Sequence, residues 1–307
     1  MVTVDFVPAR EPVPVHLYGM WAGRRRRSYL AALALFIGCL IVLGLVLFIL
    51  VPPLLPLIPK DLYGFLPLLA IIALLGPVLL VARVVHKQSP MDLIAPGRRL
   101  DIGMAFRSAL VFAVPLLGQV VWSLWTGELV PASAGMGTFL LWMPFVIIGF
   151  VLQASTEEII FRGYLAQGLR VVCRNTPAMV LISSVLFTLA HEGGDQQAVW
   201  AARAQIFVTA LFLSWLTVRL GRLEAAMGVH IINNILFIWF IGAEQITLPG
   251  LFQSLDPDPP DFAGWTDILT FVGIHAVSIG FYWLVGLRTG FVERGWAGRP
   301  SARAQQA

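Results

Sequence analysis

The stretch FLLWMPFVIIGFVLQASTEEIIFR, residues 139–162, decides how this chain is read. Its first part is long and apolar enough to lie inside a bilayer, yet it ends on Glu157-Glu158-Ile159-Ile160-Phe161-Arg162. Taking one ionised group to the bilayer centre costs at least about 2.5 to 3.5 kcal/mol even on lenient insertion scales. Two acids and a base at this place therefore need either partners or a function.

Working outward, 58% of the 307 residues are hydrophobic and 12% are charged. Soluble domains carry roughly 25% charged residues, so the composition is that of a multi-pass membrane protein. The net charge of +4 is almost wholly arginine, with Lys60 and Lys87 the two lysines. These cations flank apolar runs and leave no basic soluble domain, which excludes nucleic acid as a partner. Cys39 lies in the first apolar run and Cys173 beside Arg170 and Arg174, so neither a disulfide framework nor a CxxC metal site is available.

Runs of about 20 mainly apolar residues, the length of a crossing helix, fall near 29–51, 62–83, 103–125, 138–161, 177–191, 204–220, 225–244 and 266–287. The expected fold is all-α, with about eight transmembrane helices. The first run is too long for the core of a cleaved signal and reads as a retained anchor. The cluster Arg24 to Arg27 before it assigns the N-terminus to the cytoplasm by the positive-inside rule. With an even count of spans, all Lys and Arg but Lys60, Arg203 and the snorkelling Arg107 fall on that side. The two long outer loops, 126–137 and 243–265, carry no Lys or Arg. The expected partition is a cytoplasmic N-terminal segment (1–28), one transmembrane domain (29–287) and a basic cytoplasmic tail (288–307). The fifth run is short and breaks at Glu192-Gly193-Gly194-Asp195. Irregular backbone at that depth needs a hydrated or protein-lined chamber.

Glu158 and Arg162 are four apart, the acid N-terminal to the base, and so should pair along one helix face. Glu157 points about 100° away around the helix and is left available for proton chemistry. Phe187 and His191 share the same spacing, and the aromatic can pack beneath the imidazole. His230 and Asn234 repeat it, setting an imidazole and an amide side by side as an oxyanion requires, with Asn233 a competitor for the amide role. A carboxylate, imidazoles and an amide suit attack of water on an amide bond. No GxSxG nucleophile competes. The string His191-Glu192-Gly193-Gly194-Asp195 lacks the second histidine of HExxH and has glycines where a helix is needed. Glu157, His191 and His230 are nevertheless a plausible three-ligand set for zinc.

Taken in order on successive apolar segments, EExxxR at Glu157 to Arg162, FxxxH at Phe187 and His191, and HxxxN at His230 and Asn234 resemble the CAAX prenyl endopeptidase and bacteriocin-processing family of intramembrane proteases, known as CPBP or Abi. The resemblance covers roughly residues 139–240, with a family-like core of about 138–245 and the site on the fourth to seventh helices. It implies that Glu157, with His191, activates a water. It implies also that His230 and Asn234 stabilise the oxyanion, while Glu158, Arg162 and Phe187 are structural or orienting. The implied reaction is cleavage of a peptide bond in a membrane-associated, in some members prenylated, protein or peptide. It needs no cofactor, though zinc is compatible with the residues.

Two rivals stand beside this reading. A non-enzymatic membrane scaffold or bacteriocin-immunity protein would keep the polar cluster for folding or partner binding. A transporter would use it as an ion relay, but the inverted repeats of that class are not seen in the sequence. One geometric requirement is explicit. Glu157 and His230 lie about four to six residues inside their segments, whereas His191 lies about fourteen along its own. They can meet if the fourth helix continues past Arg162 toward Arg174.

Overall fold

The computed structural model describes residues 26–57, 63–96, 99–132, 135–173, 175–191, 199–236, 250–254 and 265–294. Most of the expected segments 1–28 and 288–307, the break at 192–195 and the far end of the seventh apolar run lie outside these residues. The helices are α1 (Arg26–Leu54), α2 (Phe65–Ala73), α3 (Leu75–Val84), α4 (Pro90–Ile94), α5 (Ile102–Thr126), α6 (Gly135–Glu158), α7 (Ala166–Val172), α8 (Thr176–Leu189), α9 (Val199–Leu220), α10 (Glu224–Asn234) and α11 (Trp265–Phe281).

Five of the helical stretches among the described residues are long and apolar enough to cross a membrane: Ala31–Leu57, Phe65–Val84, Ile102–Thr126, Gly135–Leu169 and Arg203–Leu220. Thr176–Leu189 and Val272–Leu287 are shorter apolar helices. The chain is thus an α-helical, multi-pass integral membrane protein. The stretch Ala31–Leu57 has a mean hydropathy of 3.2 and none of its most apolar part is buried against the rest of the chain. That surface is for lipid.

Four features depart from the expected elements. Segment 62–83 is two helices joined at Leu74, and α9 starts at Val199, so Arg203 lies in a helix and not in a loop. A short helix, α4, occupies the loop after α3; Ser89 and Asp92 close its first turn as a capping box, with a proline at its start. The helical fold carries one short β-ribbon. Leu129–Pro131 (β1) and Phe252–Ser254 (β2) pair antiparallel, with Leu129 opposite Ser254 and Pro131 opposite Phe252. This ribbon joins the two loops expected on the same side of the membrane. Trp122 and Trp125 lie exposed at the adjacent end of α5, the place of an interfacial aromatic belt.

The expected continuation of the fourth helix is present. From α6 the chain widens into a π-helical stretch, Ile159–Leu165, and passes without a break into α7. At 1.5 Å per residue this rod measures roughly 55 Å, well beyond a hydrocarbon core of about 30 Å. Asn175 then caps α8 by accepting from the Ala178 amide (3.0 Å), with a proline in the first turn. The path from Glu157 to Val172 and back from Thr176 to His191 covers matching lengths, about 22 Å each way. The return brings His191 level with Glu157.

α10 is the central helix. Its sequence, EAAMGVHIINN, is too rich in small and polar residues for a lipid-facing span, and the reason is that protein surrounds it. It packs on α5, α6 and α9, and every residue from Glu224 to His230 is buried. Gly228 crosses α5 so closely that a Cβ there would overlap the carbonyl group of Ala105. Small residues at such crossings let membrane helices approach backbone to backbone. The start of α10 is anchored as well. The buried Arg222 pairs with Glu224, which accepts the Asp101 amide (3.0 Å), and the Leu223 amide donates to the Ile94 carbonyl (2.9 Å). On its other flank Phe112, Phe212 and Tyr282 join α5, α9 and the end of α11 in one core.

Gly228→Ala should therefore force α5 and α10 apart, at a cost of about 1–3 kcal/mol or more, read as a lower unfolding temperature in detergent. Gly118→Ala, on the open face of α5 with nothing within 4 Å of the added carbon, should be neutral or slightly stabilising. Equal stability of the two variants would contradict this packing.

Candidate functional site

The helix α6 delivers the two acids in different directions. Glu158 is fully buried and its Oε1 accepts from Arg162 Nη1 at 2.9 Å, the pair expected from their spacing. Arg162 is equally buried, and its remaining groups are placed on neighbouring helices. Nε donates to Ser214 Oγ (3.2 Å) and Nη2 to the Ala210 carbonyl (3.3 Å), both on α9. The guanidinium lies 4.1 Å from the centre of the Phe187 ring on α8, a cation–π contact that gains from desolvation. Arg162 is thus a joint between three helices and not an interfacial charge.

Glu157 points the other way. Its Oε1 lies 3.8 Å from His191 Nε2 and its Oε2 3.5 Å from His230 Nε2. Oε2 is buried and makes no hydrogen bond among the described residues. His230 stands between both acids, since its Nδ1 donates to Glu158 Oε1 at 2.8 Å. That bond was not anticipated from the sequence. It fixes the ring so that Nε2 is the nitrogen facing Glu157.

His191 is oriented by its own helix. Its Nδ1 lies 2.8 Å from the Phe187 carbonyl, and a carbonyl accepts only, so Nδ1 carries the proton and the Nε2 lone pair faces Glu157. Its side chain is 30% exposed, against 7% for His230 and 6% for Glu157, so the pocket opens on the His191 side. Phe187 packs beneath His191 as expected, with ring centres 4.4 Å apart, and also stands edge-on to His230 at 5.8 Å. One aromatic ring therefore holds both imidazoles and the arginine.

Of the two candidate amides, Asn234 is the one that reaches α6. It is buried, and its Nδ2 donates to Gln153 Oε1 at 3.0 Å. Asn233 faces away, its Oδ1 3.4 Å from His275 Nε2 on α11. Gln153 and Ser214 are the polar neighbours that the sequence reading missed. A glutamine four residues before Glu157, on the same face of an apolar segment, was the available signal for the first. Nothing local marked the second.

The sequence-derived site residues are thus brought together: Glu157, Glu158, Arg162, Phe187, His191 and His230 are in mutual contact, and Asn234 lies one turn further along α10. Glu157, His191 and His230 are neighbours, yet among the described residues no three His, Cys, Asp or Glu side chains gather as metal ligands would.

Removing one partner of a fully buried ion pair strands the other, at a cost of about 3–5 kcal/mol. Arg162→Met should lower unfolding stability in detergent by that order. Arg162→Lys should not restore it, because an ammonium cannot reach Glu158, Ser214 and Ala210 in one plane. A stable Arg162→Met protein would refute the joint.

The chain is 26% identical over 196 residues to the uncharacterized protein YyaK of Bacillus subtilis (strain 168), a match that takes in 59% of this chain and 62% of that protein. It therefore spans less than two thirds of that relative's length. No solved structure matches. Residues 138–236 match the family described as "Type II CAAX prenyl endopeptidase Rce1-like". That segment, about a third of the chain, holds all three motifs and the whole of the Glu157 pocket.

Proposed function

We propose that this protein is an intramembrane endopeptidase of CAAX-protease type, in which Glu157 and His191 activate a water and His230 and Asn234 bind the oxyanion. The observation that carries the reading is the carboxylate of Glu157 facing the Nε2 atoms of two imidazoles at 3.5 and 3.8 Å. Both the Glu157 carboxylate and the Nε2 of His191 are acceptors. A single water with hydrogen bonds of about 2.8 Å reaches both, donates a proton to each, and turns its lone pairs outward to a substrate carbonyl.

In the step that follows, the water oxygen bonds to the carbonyl carbon while Glu157 takes its proton. Negative charge moves to the carbonyl oxygen. Because His230 already donates from Nδ1 to Glu158, it can offer a second N–H to that oxygen as an imidazolium. In that state Glu157 and Glu158 are balanced by Arg162 and His230, a neutral set that suits a site away from bulk water. The Asn234 amide supplies the other donor. The carbon–nitrogen bond then breaks, and the proton held by Glu157 passes to the leaving amine nitrogen.

The substrate class we propose is a membrane-associated protein or peptide, prenylated in the manner the family description implies, since the pocket lies among lipid-facing helices. We further propose eight spans with both termini in the cytoplasm, in line with the arginine distribution. No step is assigned to a metal.

With membrane-anchored and farnesylated peptides as substrates, Glu157→Ala and His191→Ala should each lower cleavage by about 10²- to 10⁴-fold. Asn234→Ala should cost about 10²- to 10³-fold in kcat, and prolonged chelation should leave the wild-type rate unchanged. Equal cleavage by the wild type, Glu157→Ala and His191→Ala would reject these roles.

A further inference from the structure

Gln153 and Glu157 lie one turn apart on α6, and His230 and Asn234 lie one turn apart on α10. The contacts between the helices form an antiparallel ladder of two rungs. One rung is Glu157 with His230, at 3.5 Å, and the other is Gln153 with Asn234, at 3.0 Å. Four residues at 1.5 Å each separate the rungs by about 6 Å. We propose that Gln153 is a positioning residue that sets the orientation of the Asn234 amide for oxyanion binding. This inference rests on the peptidase reading above.

The argument concerns the two ends of the Asn234 side chain. The χ2 torsion of asparagine is broad and roughly two-fold, so a free carboxamide presents either Nδ2 or Oδ1 to the same point. Toward an oxyanion these ends have opposite polarity, and only Nδ2 stabilises the charge. Gln153 Oε1 lies at hydrogen-bond distance from Nδ2. With Gln153 held as it stands, flipping the Asn234 amide would set Oδ1 against Oε1, two acceptors in contact inside a buried site, where an unsatisfied polar group costs about 1–3 kcal/mol; reversing the bond requires both carboxamides to turn together. One N–H of Nδ2 goes to Gln153 and the second stays free for a ligand oxygen. Gln153 is itself buried, and Asn234 is its hydrogen-bond partner among the described side chains. An amide this deep in an apolar helix, bonded to this one residue, acts through that residue.

A purely structural bond between α6 and α10 would behave differently. Such contacts are worth about 0.6 kcal/mol in membranes, and their loss would move stability while leaving turnover alone. The test is therefore a kinetic cycle with Gln153→Met, Asn234→Ala and the double variant on a farnesylated peptide, with Glu157→Ala as reference. Gln153→Met, close in volume and unable to accept the bond, should lower kcat by about 10- to 100-fold with KM within about twofold. The double variant should be no slower than Asn234→Ala alone, because Gln153 has no other route to the reaction. If Gln153→Met does not fold, Gln153→Glu carries the test, since it keeps an acceptor oxygen in place. A kcat within about threefold of wild type supports the proposal, and a loss as large as that of Asn234→Ala overturns it. Cleavage abolished by Glu157→Ala but unaffected by Gln153→Met overturns the positioning role alone. Cleavage indifferent to Glu157→Ala overturns the peptidase reading and this one with it.

Discussion

The fully buried ion pair between Glu158 and Arg162 is the constraint on which the rest of the molecule depends. Neither group can leave water without the other, and Arg162 has more donors than one carboxylate can accept. Its surplus is met by Ser214 and the Ala210 carbonyl on α9 and by the Phe187 ring on α8. Satisfying one guanidinium therefore fixes α6, α8 and α9 relative to one another. The same Glu158 Oε1 that accepts from Arg162 also accepts from His230, which brings in α10. The neighbouring Glu157 makes no ion pair with Arg162 as Glu158 does, and its carboxylate is turned toward two imidazoles.

Around that centre the helices divide by composition. From Ala31 onward α1 is apolar and mostly turned to lipid, whereas α10 is rich in small and polar residues and is enclosed by protein. The close crossing at Gly228 seats α10 against α5, and the two-rung ladder joins it to α6. The long rod from Gly135 to Val172 has a related purpose. By projecting past the apolar layer before the chain turns, it lets the short helix α8 end at the depth of Glu157, with His191 at its tip. Packing, helix length and pocket geometry are in this sense one arrangement.

Much of this could be read in the sequence, because it depends on spacing within one helix. The Glu158–Arg162 pair, the Phe187–His191 stack, the free direction of Glu157 and the shortness of the fifth apolar run all follow from residues three to five apart or from counting. The continuation of helix α6 into α7 was required by the depth of His191. Contacts between helices were not legible in the same way. The bonds His230–Glu158, Asn234–Gln153 and Arg162–Ser214 join residues 52 to 81 positions apart, and periodicity does not specify which faces will meet. The β1–β2 ribbon and α4 were missed for a related reason, since three to five residues in a loop carry too little pattern to register.

The most direct test of the central claim uses Glu157→Gln, which keeps the shape of the side chain, replaces one acceptor oxygen by an amide donor and removes the ability to take a proton. Single-turnover cleavage of a farnesylated peptide should fall by at least about 10²-fold, with the unfolding temperature of the protein unchanged. Cleavage at the wild-type rate by a folded Glu157→Gln protein would contradict the account, because the pocket would then work without its base.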